Sequence, residues 1–426
     1  MNAIGLRLAL RVGALALKFA LTMIIARTLG FDAVAAYGFA VAASVVASKV
    51  LGLGFSTELN RQLSDDTPAD AIRTAKRLFA LYGTVYALLC LLMAASGLVS
   101  GPWRVSALPT TPLWLIALVA CAEHAALEVN SYVYALHRTH AATWLLFVRT
   151  GAWAGVAIAA LMLHAIGSIE ALFAIWLVTN VGVVVAGWTL MNRVARGLPP
   201  SRARVIAPAG LAKVWVDGVP FFVALLLLSI LQYLERFVAA GVLTANELGR
   251  YVFVWSIANA IQTVAAATVV FAAGPRLVRA AAGSDDAFRR ELLHAAAASL
   301  LLSGAAAIGL FALRVPIFQL AHGGGGAWQT NELSLLGLSF VLRALTDVLW
   351  AAAVAQRKGR PVAISMALLA LICLPVSIML VRSLDGLGAA CAHLVASVAV
   401  AVTMVWIIAS RASPALRLPR GAADAA

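Results

Sequence analysis

Charge is what this chain of 426 residues has least of. Only 12% of its residues are Asp, Glu, Lys or Arg, about half of what a soluble domain carries. By contrast 63% are hydrophobic, and mean hydropathy is +0.94. These values exclude an ordinary soluble globular protein. Cysteine is equally sparse. Cys90, Cys121, Cys373 and Cys391 all lie in apolar runs without metal-ligand spacing, which excludes a disulfide framework and leaves them as small buried hydrophobes. No GxxxxGK[ST] phosphate loop occurs, which removes ATP hydrolysis by this chain. The imidazoles of HRTH (137–140) have no Cys or carboxylate beside them and do not make a metal site. Long polar connections are missing too. The longest on the outer side, RVPIFQLAHGGGGAWQTN (314–331), is a short Gly-rich connector, which argues against a membrane-embedded polysaccharide polymerase or ligase. No cofactor is expected.

What fills the chain instead is a succession of apolar runs of about 20 residues, the length that crosses a hydrocarbon core. Twelve are read, near 8–27, 35–55, 78–99, 112–135, 141–163, 170–191, 214–235, 251–272, 292–313, 332–354, 361–381 and 388–410. The expected fold is an all-α polytopic membrane protein. The first run lies in LALRVGALALKFALTMIIARTLG, whose Arg11 and Lys18 are foreign to a signal-peptide core. A net charge of +14 would suggest nucleic acid in a soluble chain, but its distribution decides otherwise. Of the 32 Lys and Arg, 21 fall on the side that holds both chain ends, six on the other side and its borders, and five inside runs. That is the positive-inside pattern. Both termini are expected in the cytoplasm, and no nucleic-acid partner is expected.

The Arg- and Pro-rich connection NRVARGLPPSRARVIAPAGLAK (192–213) divides the runs six and six. An N-terminal six-helix bundle at 1–212 and a C-terminal one at 213–426 follow, entering the membrane in the same orientation as a parallel repeat requires. When LGFDAVAAYGF (29–39) is laid on LTANELGRYVF (243–253), Leu29, Tyr37 and Phe39 meet Leu243, Tyr251 and Phe253. SDDTPADAIRTAKR (64–77) reads as a helix starting at Thr67-Pro68 and lying near anionic lipid. SDD at 64–66 and 284–286 reads as a helix start.

A charge at the bilayer centre costs roughly 3 kcal/mol and normally faces a partner or a watery cavity. Lys18 sits too deep in its run for a four-methylene stem to reach either surface. Arg11 and Lys49 are near enough to the cytoplasmic ends to snorkel. Arg149 lies two turns inside the fifth run. Arg343 and Asp347, four apart, have the spacing of an intrahelical ion pair. The fourth run carries CAEHAALEVNSY: Glu123 and Asn130 share one face, His124 and Glu128 a neighbouring one, so this helix lines a polar interior. Asp217 precedes Pro220, whose interruption of the helix would free carbonyls beside a carboxylate. Asn259 and Gln262 read as helix-joining groups.

Two stretches resemble a known family. ARTLGFDAVAAYGFA (26–40) resembles the N-terminal signature of polysaccharide and O-antigen flippases. LQYLERFVAAGVLTANELGRYVFVWSIA (231–258) resembles their second-half signature, with Glu235-Arg236 and Gly249-Arg250-Tyr251 in place of the more usual Asp and an apolar residue between Gly and Tyr. The resemblance implies the multidrug/oligosaccharidyl-lipid/polysaccharide exporter fold, with two six-helix bundles around a central cavity. It also implies a lipid-linked oligosaccharide as cargo, carried across a bacterial inner membrane by alternating access. Membrane lipids, a polysaccharide polymerase and other assembly proteins would be partners, for lipopolysaccharide or O-antigen synthesis. In that setting Lys18, with Arg149, Arg11 and Arg343, would meet a polyprenyl diphosphate, and Asp217, Glu123, Glu128 or Asp347 would bind a coupling ion. Drug exporters share the fold, so a cation-coupled multidrug antiporter stays open. Lys18 paired with Glu123 or Glu128 as a structural tie stays open too.

Overall fold

The computed structural model describes residues 3–52, 68–95, 113–196, 208–322 and 330–410. Within them the chain forms thirteen helices. In order these are α1 (Ala3–Thr28), α2 (Phe31–Leu51), α3 (Pro68–Ala95), α4 (Leu113–Ala135), α5 (Thr139–Met162), α6 (Ile169–Arg196) and α7 (Pro208–Val242). Then come α8 (Ala245–Val270), α9 (Phe271–Gly283), α10 (Asp285–Ala312), α11 (Arg314–His322), α12 (Thr330–Ala355) and α13 (Gly359–Ala409). Eleven are long and apolar enough to cross a membrane.

The last of them counts twice. A straight helix of 51 residues would be about 77 Å long, more than twice a hydrocarbon core. Asp385 breaks it with φ 50° and ψ −128°. The chain then returns, because the Lys358 ammonium at its start donates to the carbonyls of Ile407 (2.7 Å) and Ser410 (2.8 Å) at its end. The described residues thus hold twelve spans, two of them in α13.

Local chemistry sets the helix ends. Pro68 opens α3, where its missing N–H is an orphan anyway. Ser284 caps α10 by accepting from the Ala287 amide (3.2 Å), as its SDD stretch suggests; the earlier SDD at 64–66 lies outside the described residues. Thr244 and Glu247 form a reciprocal capping box on α8.

The turns record a repeat. Among the described residues four non-glycine residues take positive φ: His137, His164, Arg357 and Asp385. His137 ends the turn after α4, and Arg357 ends the turn after α12. Their neighbours form the same backbone bonds: Arg138 N to Val133 O and Ala142 N to Arg138 O, against Lys358 N to Ala353 O and Val362 N to Lys358 O. His164 and Asp385 form a second matched pair, each closing the span that follows one of those turns.

Apolar packing is not evenly spread. One core joins Leu21 and Ile25 of α1, Val34 and Tyr37 of α2, Trp153 of α5 and Phe173 of α6 to Tyr251 and Phe253 of α8 and Phe340 of α12. All lie toward the end that carries the α1–α2, α5–α6 and α7–α8 connections. Toward the other end, where the Arg-rich connections run, packing separates into distinct clusters. One uses Tyr82, Tyr132, Val133 and Met191 from α3, α4 and α6; another uses Leu231, Met366, Val400 and Met404 from α7 and α13. One shared core thus seals the first end, while at the basic end the apolar residues fall into separate clusters.

Candidate functional site

The polar interior begins at α4. Glu123 is half-buried, and three donors from two neighbouring helices converge on it. Arg149 of α5 pairs with Oε1. The Trp176 indole N–H (3.1 Å) and the Asn180 amide (2.9 Å) of α6 both donate to Oε2. Such a carboxylate is fully occupied, because each oxygen has a donor and its charge has a counter-charge. Arg149 reaches it from a π-helical turn, Val148–Ala152, which widens the helix and re-aims its side chains. Gly151 in that turn lets α5 lie against α1: a Cβ there would sit 2.6 Å from Ala14 Cα. Below it Trp153 and Trp176 stack with centroids 4.9 Å apart and planes 2° from parallel.

Lys18 lies one turn along α1 from Ala14. It is half-buried and within electrostatic range of Glu123 and Arg149. Among the described residues its ammonium has no hydrogen bond or ion pair. The reason is visible: Arg149 has taken the carboxylate that Lys18 would need.

A second polar group sits nearer the basic end. His124 and Glu128 are buried on α4, with His124 Nε2 3.7 Å from Glu128 Oε1. The Tyr86 hydroxyl of α3 is 2.5 Å from His124 Nδ1, and the Tyr82 ring meets the imidazole edge-on at 4.9 Å. Lys49 of α2 is half-buried and within electrostatic range of Glu128 and Arg149.

The second half has a different chemistry. Arg343 is buried and donates from Nε to Ser397 Oγ (2.8 Å) and from Nη2 to the Leu231 carbonyl (2.7 Å). Ser339 links Ser397 (2.7 Å) to the His393 ring (2.6 Å). Asp347 accepts from Gln262 (2.9 Å), which itself accepts from Gln232 (3.1 Å). Arg343 and Asp347 feel each other's charge, but the guanidinium is spent on Ser397 and Leu231. Glu235 accepts from the Tyr251 hydroxyl (2.8 Å). Arg236 lies over the Trp255 ring at 4.0 Å and donates across to the Gly38 carbonyl of α2 (2.8 Å). The two flippase-like stretches therefore meet each other in the sealed end.

Glu123 and Arg149 are paired, Lys18 is within electrostatic range of both, and Lys49 is within electrostatic range of Glu128. Arg343 and Asp347 form a separate group in the other half. Arg11 is half-buried on the first turns of α1 and has partners of its own. The Asp217 side chain lies outside the described residues. Trp176 and Asn180, which hold Glu123, carry no charge and so gave no signal among apolar neighbours.

A family whose description is polysaccharide biosynthesis protein matches residues 7–281. No curated protein matches the chain. Among solved structures it is similar to the lipid II flippase MurJ in an inward closed conformation, with a TM-score of 0.67 at 13% identity, covering 95% of this chain and 87% of that one. An inward-facing multidrug resistance MATE family transporter of the MOP superfamily gives a TM-score of 0.66 at 16% identity, covering 94% and 96%. An outward-facing structure described in the same words gives 0.57 at 15% identity, covering 94% of each chain. At these identities the likeness establishes the transporter fold.

Proposed function

Because the chain belongs to the polysaccharide biosynthesis protein family, we propose that it flips a polyprenyl-diphosphate-linked oligosaccharide across a bacterial inner membrane. The halves 1–212 and 213–426 rock about their sealed end, both termini stay cytoplasmic, and the cleft first opens toward the cytoplasmic leaflet. The separation of the apolar clusters at the basic end supports that resting state. So does the greater likeness to the inward-facing than to the outward-facing MATE structure.

One observation carries the reading: Lys18 is a mid-membrane cation left without a carboxylate. An unpaired charge at that depth is costly, and it is offset when an anion arrives. A diphosphate fits, since it brings concentrated negative charge and oxygen acceptors for charge-assisted hydrogen bonds. The glycan occupies the cleft, and the polyprenyl tail stays in lipid. Arg149 stands behind Lys18 as a fixed positive charge held by Glu123. A multidrug antiporter carrying organic cations needs the reverse, an accessible carboxylate, and Glu123 is occupied on both oxygens. Polymerase and other assembly proteins would take the delivered oligosaccharide on the far side.

The test is a Lys18 series in a strain that depends on this chain. Lys18→Ala should insert and fold normally yet trap lipid-linked precursor on the cytoplasmic side. Lys18→Arg should keep part of the activity, since charge survives while geometry changes, and Lys18→Glu should be worst. Full transport by a stable Lys18→Ala protein removes the reading.

A further inference from the structure

A hydrogen-bonded chain in the second half is not used by the proposal above. Gln232 of α7 donates to Gln262 Oε1 of α8 (3.1 Å), and Gln262 Nε2 donates to Asp347 Oδ2 of α12 (2.9 Å). Helical spacing fixes where its members face. Gln232 lies one turn toward the basic end from Arg236, whose guanidinium reaches across to the Gly38 carbonyl of the first half. Both are therefore on the face of α7 turned toward that half. Asn259 lies two turns toward the basic end from Val252, which meets Gly38 from α8, and shares its face. Just past the seal, then, α7 and α8 present two carboxamides to the first half. The register that lays 29–39 on 243–253 also carries Lys18 onto Gln232. Where the first half has an ammonium, the second has an amide.

Gln232, Asn259 and Asp347 are half-buried. Among the described residues Gln232 Oε1, the Asn259 carboxamide and Asp347 Oδ1 make no hydrogen bond, and each keeps some exposed surface. They are nonetheless held in place. Gln262 is buried and bonded on both sides, and Arg343 Nη2 donates to the Leu231 carbonyl next to Gln232 (2.7 Å), tying α12 to α7. Such a preorganised set of amides and one carboxylate oxygen suits a polyol, because every hydroxyl both donates and accepts. It suits a cation poorly. Gln262 turns its N–H rather than its oxygen to Asp347, and Arg343 precedes the acid by one turn. A cation would meet donors and a like charge where it needs oxygens.

We propose that Gln232, Asn259 and Asp347 form a hydroxyl-binding subsite for the sugar next to the diphosphate, and that this subsite selects which glycan is carried. It rests on the reading of the cleft as the place of a lipid-linked oligosaccharide. Lys18 takes the phosphate from the first half, and the equivalent level of the second half takes the sugar. A sugar hydroxyl donates to Asp347 Oδ1 in a charge-assisted bond. The Asn259 amide and the Gln232 carbonyl answer its neighbours. A sugar without the matching hydroxyl leaves the carboxylate oxygen desolvated and unpaired, which is how a polar site rejects an analogue.

The probes are geranyl diphosphate and its esters with glucose, galactose or N-acetylglucosamine on the terminal phosphate. Each is titrated calorimetrically into the full-length protein in nanodiscs, against empty nanodiscs. Asn259→Ala and Asp347→Asn should each weaken binding of at least one sugar ester about tenfold, while bare geranyl diphosphate binds as before. Lys18→Ala should weaken every probe. Asn259→Ala breaks no hydrogen bond among the described residues, so it decides the matter if Asp347→Asn does not fold. Equal losses for the sugar esters and the bare diphosphate, or no loss for any ester, overturn the subsite and leave the phosphate reading standing. Competition by tetraphenylphosphonium that Asp347→Asn abolishes makes the acid a cation site and overturns the subsite too. No binding of any probe overturns both readings.

Discussion

Gly38 is a tight point of the seal, and replacing it should change which way the protein opens. It sits on α2 opposite Val252 of α8, and when 29–39 is laid on 243–253 these two positions are equivalents. The repeat brings matching residues face to face, where there is no room for two side chains. A Cβ added at Gly38 would lie 2.1 Å from Val252 Cγ1 and 3.0 Å from Cγ2, against an optimal carbon separation of about 3.5–4.0 Å. Val252 cannot easily turn away, because a β-branched side chain in a helix has one strongly preferred rotamer. The seam must then part by about 1.5 Å. Overpacking of this kind costs about 1–3 kcal/mol. Applied to the sealed state alone, that is roughly 5- to 150-fold in the ratio of the two conformations. Spin labels at the exposed residues Leu163 and Leu313 report distance across the sealed end, and labels at His140 and Arg360 report the basic end. Gly38→Ala should lengthen the first distance and shorten the second, and Gly38→Ala with Val252→Ala should restore both. A folded Gly38→Ala protein with both distributions unchanged refutes the seam as the determinant of conformation.

Arg149→Met should lower stability by about 3–5 kcal/mol, because it strands the Glu123 charge. Adding Glu123→Gln should recover most of it, as thermal unfolding of the three variants would measure. Lys18→Ala should leave the melting temperature within about 2 °C of the unmodified protein, since Glu123 already has its partner; a large drop would mean that Lys18 is a structural tie. Lys358→Met should destabilise by about 1–2 kcal/mol through the lost carbonyl contacts at the end of α13, seen as earlier proteolysis of the C-terminal segment. Arg343→Leu should be severely destabilising, whereas Asp347→Asn should be mild because Gln262 can still bond to it; detergent thermostability separates the two.

The spans were legible because a bilayer imposes one length and one polarity on them, and even the hairpin inside α13 lay between two readable runs. The tie between Glu123 and Arg149 was not. The partners stand on different helices, and their meeting depends on a π-turn that no residue pattern announces. Arg343 and Asp347 show the opposite failure. Their i,i+4 spacing suggests a pair, yet a buried guanidinium has five N–H groups to satisfy, and Ser397 and the Leu231 carbonyl answer it better than one carboxylate. The repeat was faint for a plainer reason. The offset that lays α2 on α8 is shorter than the one that lays His137 on Arg357, and His164 on Asp385 needs a longer one still. No single offset collects the signal.

Those later matches lead to a last comparison. The register that lays His137 on Arg357 carries Glu123 of α4 onto Arg343 of α12, and the register that lays His164 on Asp385 carries Trp176 of α6 onto Ser397 of α13. In the first half Trp176 donates to Glu123; in the second Arg343 donates to Ser397. The same pair of helices is thus tied at the same place with the charge reversed. Reversal requires different company. An acid in the first half draws in Arg149 and leaves Lys18 over, since three interior cations then compete for few carboxylates. An arginine in the second half is content with a hydroxyl and a carbonyl and leaves no surplus charge toward the cleft. The inversion leaves Lys18 without a carboxylate in the first half, while Arg343 in the second is bonded to Ser397 and the Leu231 carbonyl. Under the proposed function, an anion entering the cleft would be held by the first half alone.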